Sequence, residues 1–219
     1  MQILETAQFF EGELATVYDE FASQAADLIR KEAEIAVPDE DYRPKDPDEP
    51  ISIAMVSNAL HEGDQHTFLL PMIEKTDNRA FELTVFQQSP TGGPAFQEFK
   101  SKSPNWRRIV DVDDDVLAMI LSRQRTDILI DLCGYSTNGR AVVTATGVAP
   151  VVTSLLREPY GFNAPGVNVI ISDAATAEVD QPRVRLVRRV PETVTNVAST
   201  STQLVGATRV GRKVKMKRK

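Results

Sequence analysis

The stretch Thr126–Pro150, TDILIDLCGYSTNGRAVVTATGVAP, decides how the rest of the chain is read. It opens with an unbroken apolar run, Ile128-Leu129-Ile130, closed by Asp131 and Leu132. A polar loop from Cys133 to Asn138 follows, and Gly139 onward has the Ala/Val-rich texture of a short helix. A continuous β-branched run of this kind suits a strand buried on both faces, the habit of parallel sheets. Ligands of open parallel sheets sit in the crevice outside the carboxyl ends of the strands. Chemistry is therefore expected on the loop bearing Asp131, Gly134, Tyr135 and Ser136.

Outward from this stretch, strand and helix textures alternate. Strands are predicted at Ile51–Ser57, Phe81–Phe86, Trp106–Val110, Val151–Leu156 and Val167–Ser172. Helices are predicted at Gln65–Lys75, Ala95–Lys102 and Asp113–Gln124, the last with Val116, Leu117, Ile120 and Leu121 inward. Asp113-Asp114-Asp115 falls at that helix's start, where acids offset the helix dipole, so it reads as a cap before a metal site. Arg183–Val190 reads as a last strand or a helix start. Such alternation predicts an α/β, Rossmann-like, mostly parallel sheet with helices on both faces. Four segments follow: an amphipathic helix (1–37), a Pro/acidic linker (38–50), the α/β domain (51–191), and a weakly structured Ser/Thr-rich segment with a basic tail (192–219). In the first, Phe10, Leu14, Val17, Phe21, Ala25 and Leu28 recur at spacings of three and four and predict the packed stripe. In the second, Pro38, Pro44, Pro47 and Pro50 prevent a persistent helix or central strand.

A chain of 219 residues, 42% hydrophobic and 26% charged, reads as globular. No apolar run approaches the roughly 20 residues that span a bilayer, and the acidic N-terminus lacks the order of a secretory signal. The single Cys133 excludes an internal disulfide, which points to a reducing cytoplasm. The net charge is −6, yet Arg209–Lys219 carries seven Lys/Arg and no acid, leaving −13 on the rest. That distribution argues against a general nucleic-acid binder, although the basic tail can attract anions.

Known chemical motifs are few. Gly92-Gly93 lacks the Gly-Lys-Ser/Thr of a phosphate loop, and neither G-x-G-x-x-G nor G-x-S-x-G occurs. Two histidines and one cysteine are too few and too scattered for zinc, so no metal is expected. His61 and His66 follow the first strand, where an imidazole can serve as general base or stand as a solvated loop residue. Cys133 and Trp106 read as packing residues.

ISIAMVS, FELTVF, NWRRIVDVDDDVLAMILSRQRTDILIDLCGYSTNGR, APVVTSLL and VNVIISD, in this order, resemble one half of the catalytic region of the O-GlcNAc transferases, the SPINDLY-like protein O-glycosyltransferases. The family's D-L-x-G-H/Y-T loop and following Arg correspond to Asp131–Ser136 and Arg140. Its A-P-V/I-Q strand corresponds to Ala149-Pro150-Val151, and the Asp that closes its next strand to Asp173. The similarity is continuous from about Asn105 to Asp173 and looser from Ile51 to Pro191. It implies a single half of a GT-B glycosyltransferase, with a UDP-sugar as donor substrate and no other cofactor.

On this resemblance His61, His66 and Asp131 take catalytic roles, and Gly134, Tyr135, Ser136, Arg140, Pro159 and Tyr160 bind substrate. Two loops depart from the family. Gly63 stands where its D-F-x-x-H loop has His, and Arg157-Glu158-Pro159-Tyr160-Gly161 replaces G-Y-P-G-T. The expected protein partner is a second subunit carrying the nucleotide-sugar half, reached through the N-terminal helix or the open cleft. The alternative is a non-catalytic, protein-binding module of glycosyltransferase ancestry, a pseudoenzyme.

Overall fold

The computed structural model describes residues 13–36, 45–58, 63–88, 94–103, 105–136, 138–155, 165–172 and 184–186. Helix α1 spans Glu13–Ala36. Strand β1 (Ile51–Ser57), α2 (Gly63–Glu74), β2 (Phe81–Gln87), α3 (Pro94–Lys102), β3 (Asn105–Arg108) and α4 (Asp114–Arg123) follow. Then come β4 (Ile128–Asp131), α5 (Ala141–Ala145), β5 (Val151–Leu155), β6 (Val169–Ser172) and β7 (Val184–Leu186).

The seven strands form one sheet in the order β3-β2-β1-β4-β5-β6-β7, and every pairing is parallel. The chain winds outward from β1 to β2 and β3, then returns across the sheet to β4 on the other side of β1. That reversal makes the carboxyl edge between β1 and β4 a topological switch point. The register brings Val56 beside Asp131, Ser57 beside Gln87 and Asp131 beside Ser154, so polar side chains gather where the apolar runs end.

Alternation along the strands supplies two cores. On one face Ala54, Val56, Phe86, Leu129 and Val152 pack with Ala22 and Ile29 of α1, Leu117 and Leu121 of α4, and Val143 of α5. On the other, Met55, Leu83 and Val85 meet Leu69, Leu70 and Ile73 of α2 and Phe99 of α3. Lys102 and Glu74 link α3 to α2 at 3.0 Å, and the hydrogen bond and charge of Glu74 raise the lysine's pKa above its usual value. Trp106 packs edge-on against Phe96, with ring centroids 5.3 Å apart.

The amino edge is fastened by ion pairs. Lys45 Nζ lies 3.1 Å from Asp127 Oδ2, both largely buried; the same carboxylate oxygen accepts the Ser52 N–H. Arg125, held at φ 51°, pairs with Glu49 at 3.0 Å. Residues 45–50, the described end of the expected linker, are thereby tied beneath β1 and β4.

Two helix faces differ from expectation. The described stripe of α1 that meets the core is Ala22, Ala26, Ile29 and Ala33, with Ala25 of the expected stripe packed partly against it, whereas Phe21 and Leu28 are 48% and 62% exposed; the side chains of Phe10, Leu14 and Val17 lie outside the described residues. Both stripes have helical spacing, and the small side chains form the one that lets α1 approach α5 closely. In α4, Leu117, Ala118 and Leu121 are buried while Val116 faces solvent. β7 resolves the expected strand-or-helix ambiguity at Arg183–Val190 for its residues Val184–Leu186.

Candidate functional site at the carboxyl edge

The β4 loop turns tightly because Asp131 closes it from within. Its carboxylate, 1% exposed, accepts the backbone N–H of Cys133 at 2.8 Å and that of Gly134 at 3.3 Å. Gly134 adopts φ 56°, a conformation costly for residues with a Cβ. Tyr135 and Cys133 turn into the core, and the Cys133 thiol points to the Val56 carbonyl. Ser136 donates through Oγ to the Cys133 carbonyl, and its N–H bonds the same oxygen. A Cβ on Gly139 would stand 2.3 Å from the Gly134 carbonyl oxygen and 3.0 Å from that of Ser136, so only glycine fits.

Across the switch point, Asn58 Nδ2 donates to Ser136 Oγ at 2.6 Å. This bond joins the segment leaving β1 to the loop leaving β4. Arg140 makes the second junction, at the start of α5. Its Nε and Nη2 donate to Gln88 Oε1 at 3.0 and 2.7 Å. Nη2 also donates to the Ile109 carbonyl at 2.9 Å, and Nη1 to Asp114 Oδ1 at 2.6 Å. One planar guanidinium thus binds the ends of β2, the β3–α4 connection and the β4 loop together.

Above this junction lies an open groove of about 460 Å³, lined by Gln88, Asp111, Asp113, Asp114, Asn138 and Arg140 among others. Asp114 is neutralised by Arg140, and Asp111 only loosely by Arg108 at 3.8 Å. Two carboxylates beside an amide suit hydroxyls and cationic groups, and disfavour phosphate. Among the described residues no cluster of metal-ligating side chains occurs, and no helix is long and apolar enough to cross a membrane.

The expected site residues are therefore divided. Arg140 lines the groove. Asp131, Gly134, Tyr135 and Ser136 gather at the rim, but their side chains or backbone are buried, with Asp131 bracing the turn and Tyr135 filling the core. His66 lies on α2, its side chain outside the described residues, as are His61, Pro159 and Tyr160. Asp113 begins α4 without a side-chain capping bond; Asp115 accepts the Val116 N–H, and Asp114 serves Arg140. Sequence reasoning missed Asn58, Gln88 and Asp114 as members of this edge. The polar pair Gln87-Gln88 closing FELTVF was the available signal for one of them.

Comparison with known proteins gives these features a context. No protein-family model matches the chain. It is 23% identical over 154 residues to a protein named probable UDP-N-acetylglucosamine–peptide N-acetylglucosaminyltransferase SPINDLY of Arabidopsis thaliana, covering 68% of this chain and 17% of that one. The protein of the same name from Oryza sativa subsp. japonica is 24% identical over 155 residues, with the same coverage. A solved mutant O-GlcNAc transferase of Thermobaculum terrenum shares the fold at TM-score 0.65 and 23% identity, over 85% of this chain and 35% of its own. The chain spans about 17% of the curated relatives it matches, and over most of its own length it resembles a region of the SPINDLY-type O-GlcNAc transferases.

Proposed function

We propose that the chain acts as one Rossmann-like half of a GT-B glycosyltransferase, transferring a sugar from a UDP-sugar to protein Ser/Thr hydroxyls. A partner polypeptide supplies the half that holds the nucleotide. The observation carrying this reading is the switch point between β1 and β4, topped by the Asn58–Ser136 bridge and flanked by a polar groove. Domain–domain clefts closed over such an edge are ordinary places for small ligands. Asp113 and the loosely paired Asp111 make the groove a surface for acceptor or sugar hydroxyls, which agrees with phosphate binding on the partner. His61 or His66 takes the hydroxyl proton as its oxygen attacks the anomeric carbon and UDP departs.

The test is transfer from UDP-N-acetylglucosamine to a Ser/Thr peptide by the chain together with its partner half. His61→Ala or His66→Ala then lowers the rate by about 10²–10⁴, the span of a general base. Silence of both variants in an active complex refutes the assignment. The inward-turned Asp131 and Tyr135, and the full engagement of Arg140, favour a second reading: a non-catalytic module that keeps the edge as a protein-binding surface. In that case calorimetry with UDP and with UDP-N-acetylglucosamine gives no heat, with or without the partner.

A further inference from the structure

We infer that the groove over the ends of β2 and β3 binds the acceptor polypeptide, taking a Lys or Arg side chain that lies about two to four residues from the acceptor hydroxyl. The inference rests on the proposed glycosyl transfer and names the class of its acceptor. Gln88 carries it. This side chain is 7% exposed and lines the groove. Its Oε1 accepts both Nε and Nη2 of Arg140, and that pins the amide, since the opposite orientation would set its NH2 against a guanidinium. Nε2 therefore turns away from Arg140. It has no hydrogen-bond partner among the described residues and keeps an accessible face. A largely buried donor held in this way is satisfied by a carbonyl or hydroxyl oxygen entering the groove.

The rest of the lining selects a cation on a long stem. Val110 and Val112 supply apolar surface along which the methylenes of a Lys or Arg can lie while the head stays in water. Asp113 makes no side-chain capping bond, and Asp111, its side chain 85% exposed, is 3.8 Å from Arg108. Asp114 is already taken by Arg140. An amide donor beside two available carboxylates matches a basic residue of a peptide, with a backbone carbonyl on Nε2 and the cation on the carboxylates. The same carboxylates repel a phosphate-bearing ligand. Position sets the spacing. The end of β2 is one and a half strand spacings from the gap between β1 and β4, and the end of β3 two and a half. At roughly 4.8 Å per spacing these are about 7 and 12 Å, or about two to four residues of extended chain.

The full chain, isotope-labelled on nitrogen, is titrated with Ser peptides carrying Lys, Ala or Glu about three residues from the serine, on either side. The Lys peptides are expected to shift the side-chain amide resonance of Gln88, which Gln88→Glu identifies by its absence. They bind more tightly than the Ala peptides, and the Glu peptides bind least. Asp111→Asn and Asp113→Asn each weaken the Lys peptides about twofold to fivefold, the span of an exposed ion pair, and leave the Ala peptides unchanged. Equal binding of Lys and Ala peptides overturns the inference, as does a Gln88 amide that stays in place. A Gln88 shift produced by N-acetylglucosamine and by no peptide makes the groove a sugar subsite and also overturns it. With the partner half and UDP-N-acetylglucosamine present, transfer that ignores the flanking charge overturns the inference while the proposed function stands. Lys peptides that occupy the groove of a complex transferring to no Ser/Thr peptide overturn the proposed function and leave the groove a binding site for a basic segment.

Discussion

Replacing Arg140 with methionine keeps the aliphatic stem and deletes every bond of the guanidinium. Gln88 Oε1 loses both of its donors from Arg140, and Gln88 is only 7% exposed. An acceptor left buried and unpaired costs about 1–3 kcal/mol. The Ile109 carbonyl retains the Val112 N–H at 3.2 Å, so its loss is small, about 0.5 kcal/mol. Asp114, with a side chain 29% exposed, regains water, and losing its partner costs about 1 kcal/mol. The expected total is about 2.5–4.5 kcal/mol, or a fall in Tm of roughly 5–18 °C for a domain of this size. Urea titration followed by circular dichroism measures it, with the slope unchanged and the midpoint lowered. Arg140→Lys recovers only part, because one ammonium cannot serve three acceptors in a plane. A loss below about 1 kcal/mol for Arg140→Met would refute the view that this residue ties the three connections together.

Gly139→Ala forces the loop apart by placing a methyl against two carbonyl oxygens. It should cost about 2–4 kcal/mol in the same titration, whereas Gly147→Ala, which has open space but φ 74°, should cost about 1. On α1, Ala26→Leu should destabilise by about 1–3 kcal/mol through overpacking, while Leu28→Ala should change stability by less than about 0.5; the reverse ranking would mean that α1 packs by its other stripe. Asn58→Ala removes the bridge to Ser136 and should cost about 1 kcal/mol, with faster amide exchange at Ser136 and Gly139 and unchanged exchange in β2. UDP should bind the isolated chain no more tightly than uridine, and Asp113→Asn should improve UDP binding if the groove's carboxylates are what repel phosphate.

The sheet was legible because its strands are continuous apolar runs ended by polar residues. Ile51–Ser57, FELTVF and Ile128–Asp131 could be read as strands without knowing their neighbours, and the alternation with helices implied parallel pairing. Helix faces were harder. The α1 sequence carries two stripes of helical spacing, one of large side chains and one of alanines, and hydrophobicity alone favours the large ones. Packing chose the alanines, since close approach of two helix backbones depends on small residues. Val116 was misplaced for a related reason: Leu117, Ala118 and Leu121 already complete the buried face of a ten-residue helix, leaving Val116 outside it.

The site was legible in position and obscure in orientation. A loop after a buried strand in a parallel sheet must lie at the carboxyl edge, which fixes Asp131–Arg140 at the rim. Which side chains turn outward depends on the loop's own hydrogen bonds, and these are set by distant partners. Asp131 faces inward because two loop N–H groups need an acceptor, and Tyr135 because the core on the α1 face has room for a ring. Arg140 belongs to the edge through Gln88 and Asp114, 52 and 26 residues away, a separation that no local pattern encodes. A groove assembled by one guanidinium from three connections will change shape when any of the three is displaced. The end of β2, the start of α4 and the β4 loop should therefore respond together to a molecule closing over this edge, and the Arg140→Met variant is the means of uncoupling them.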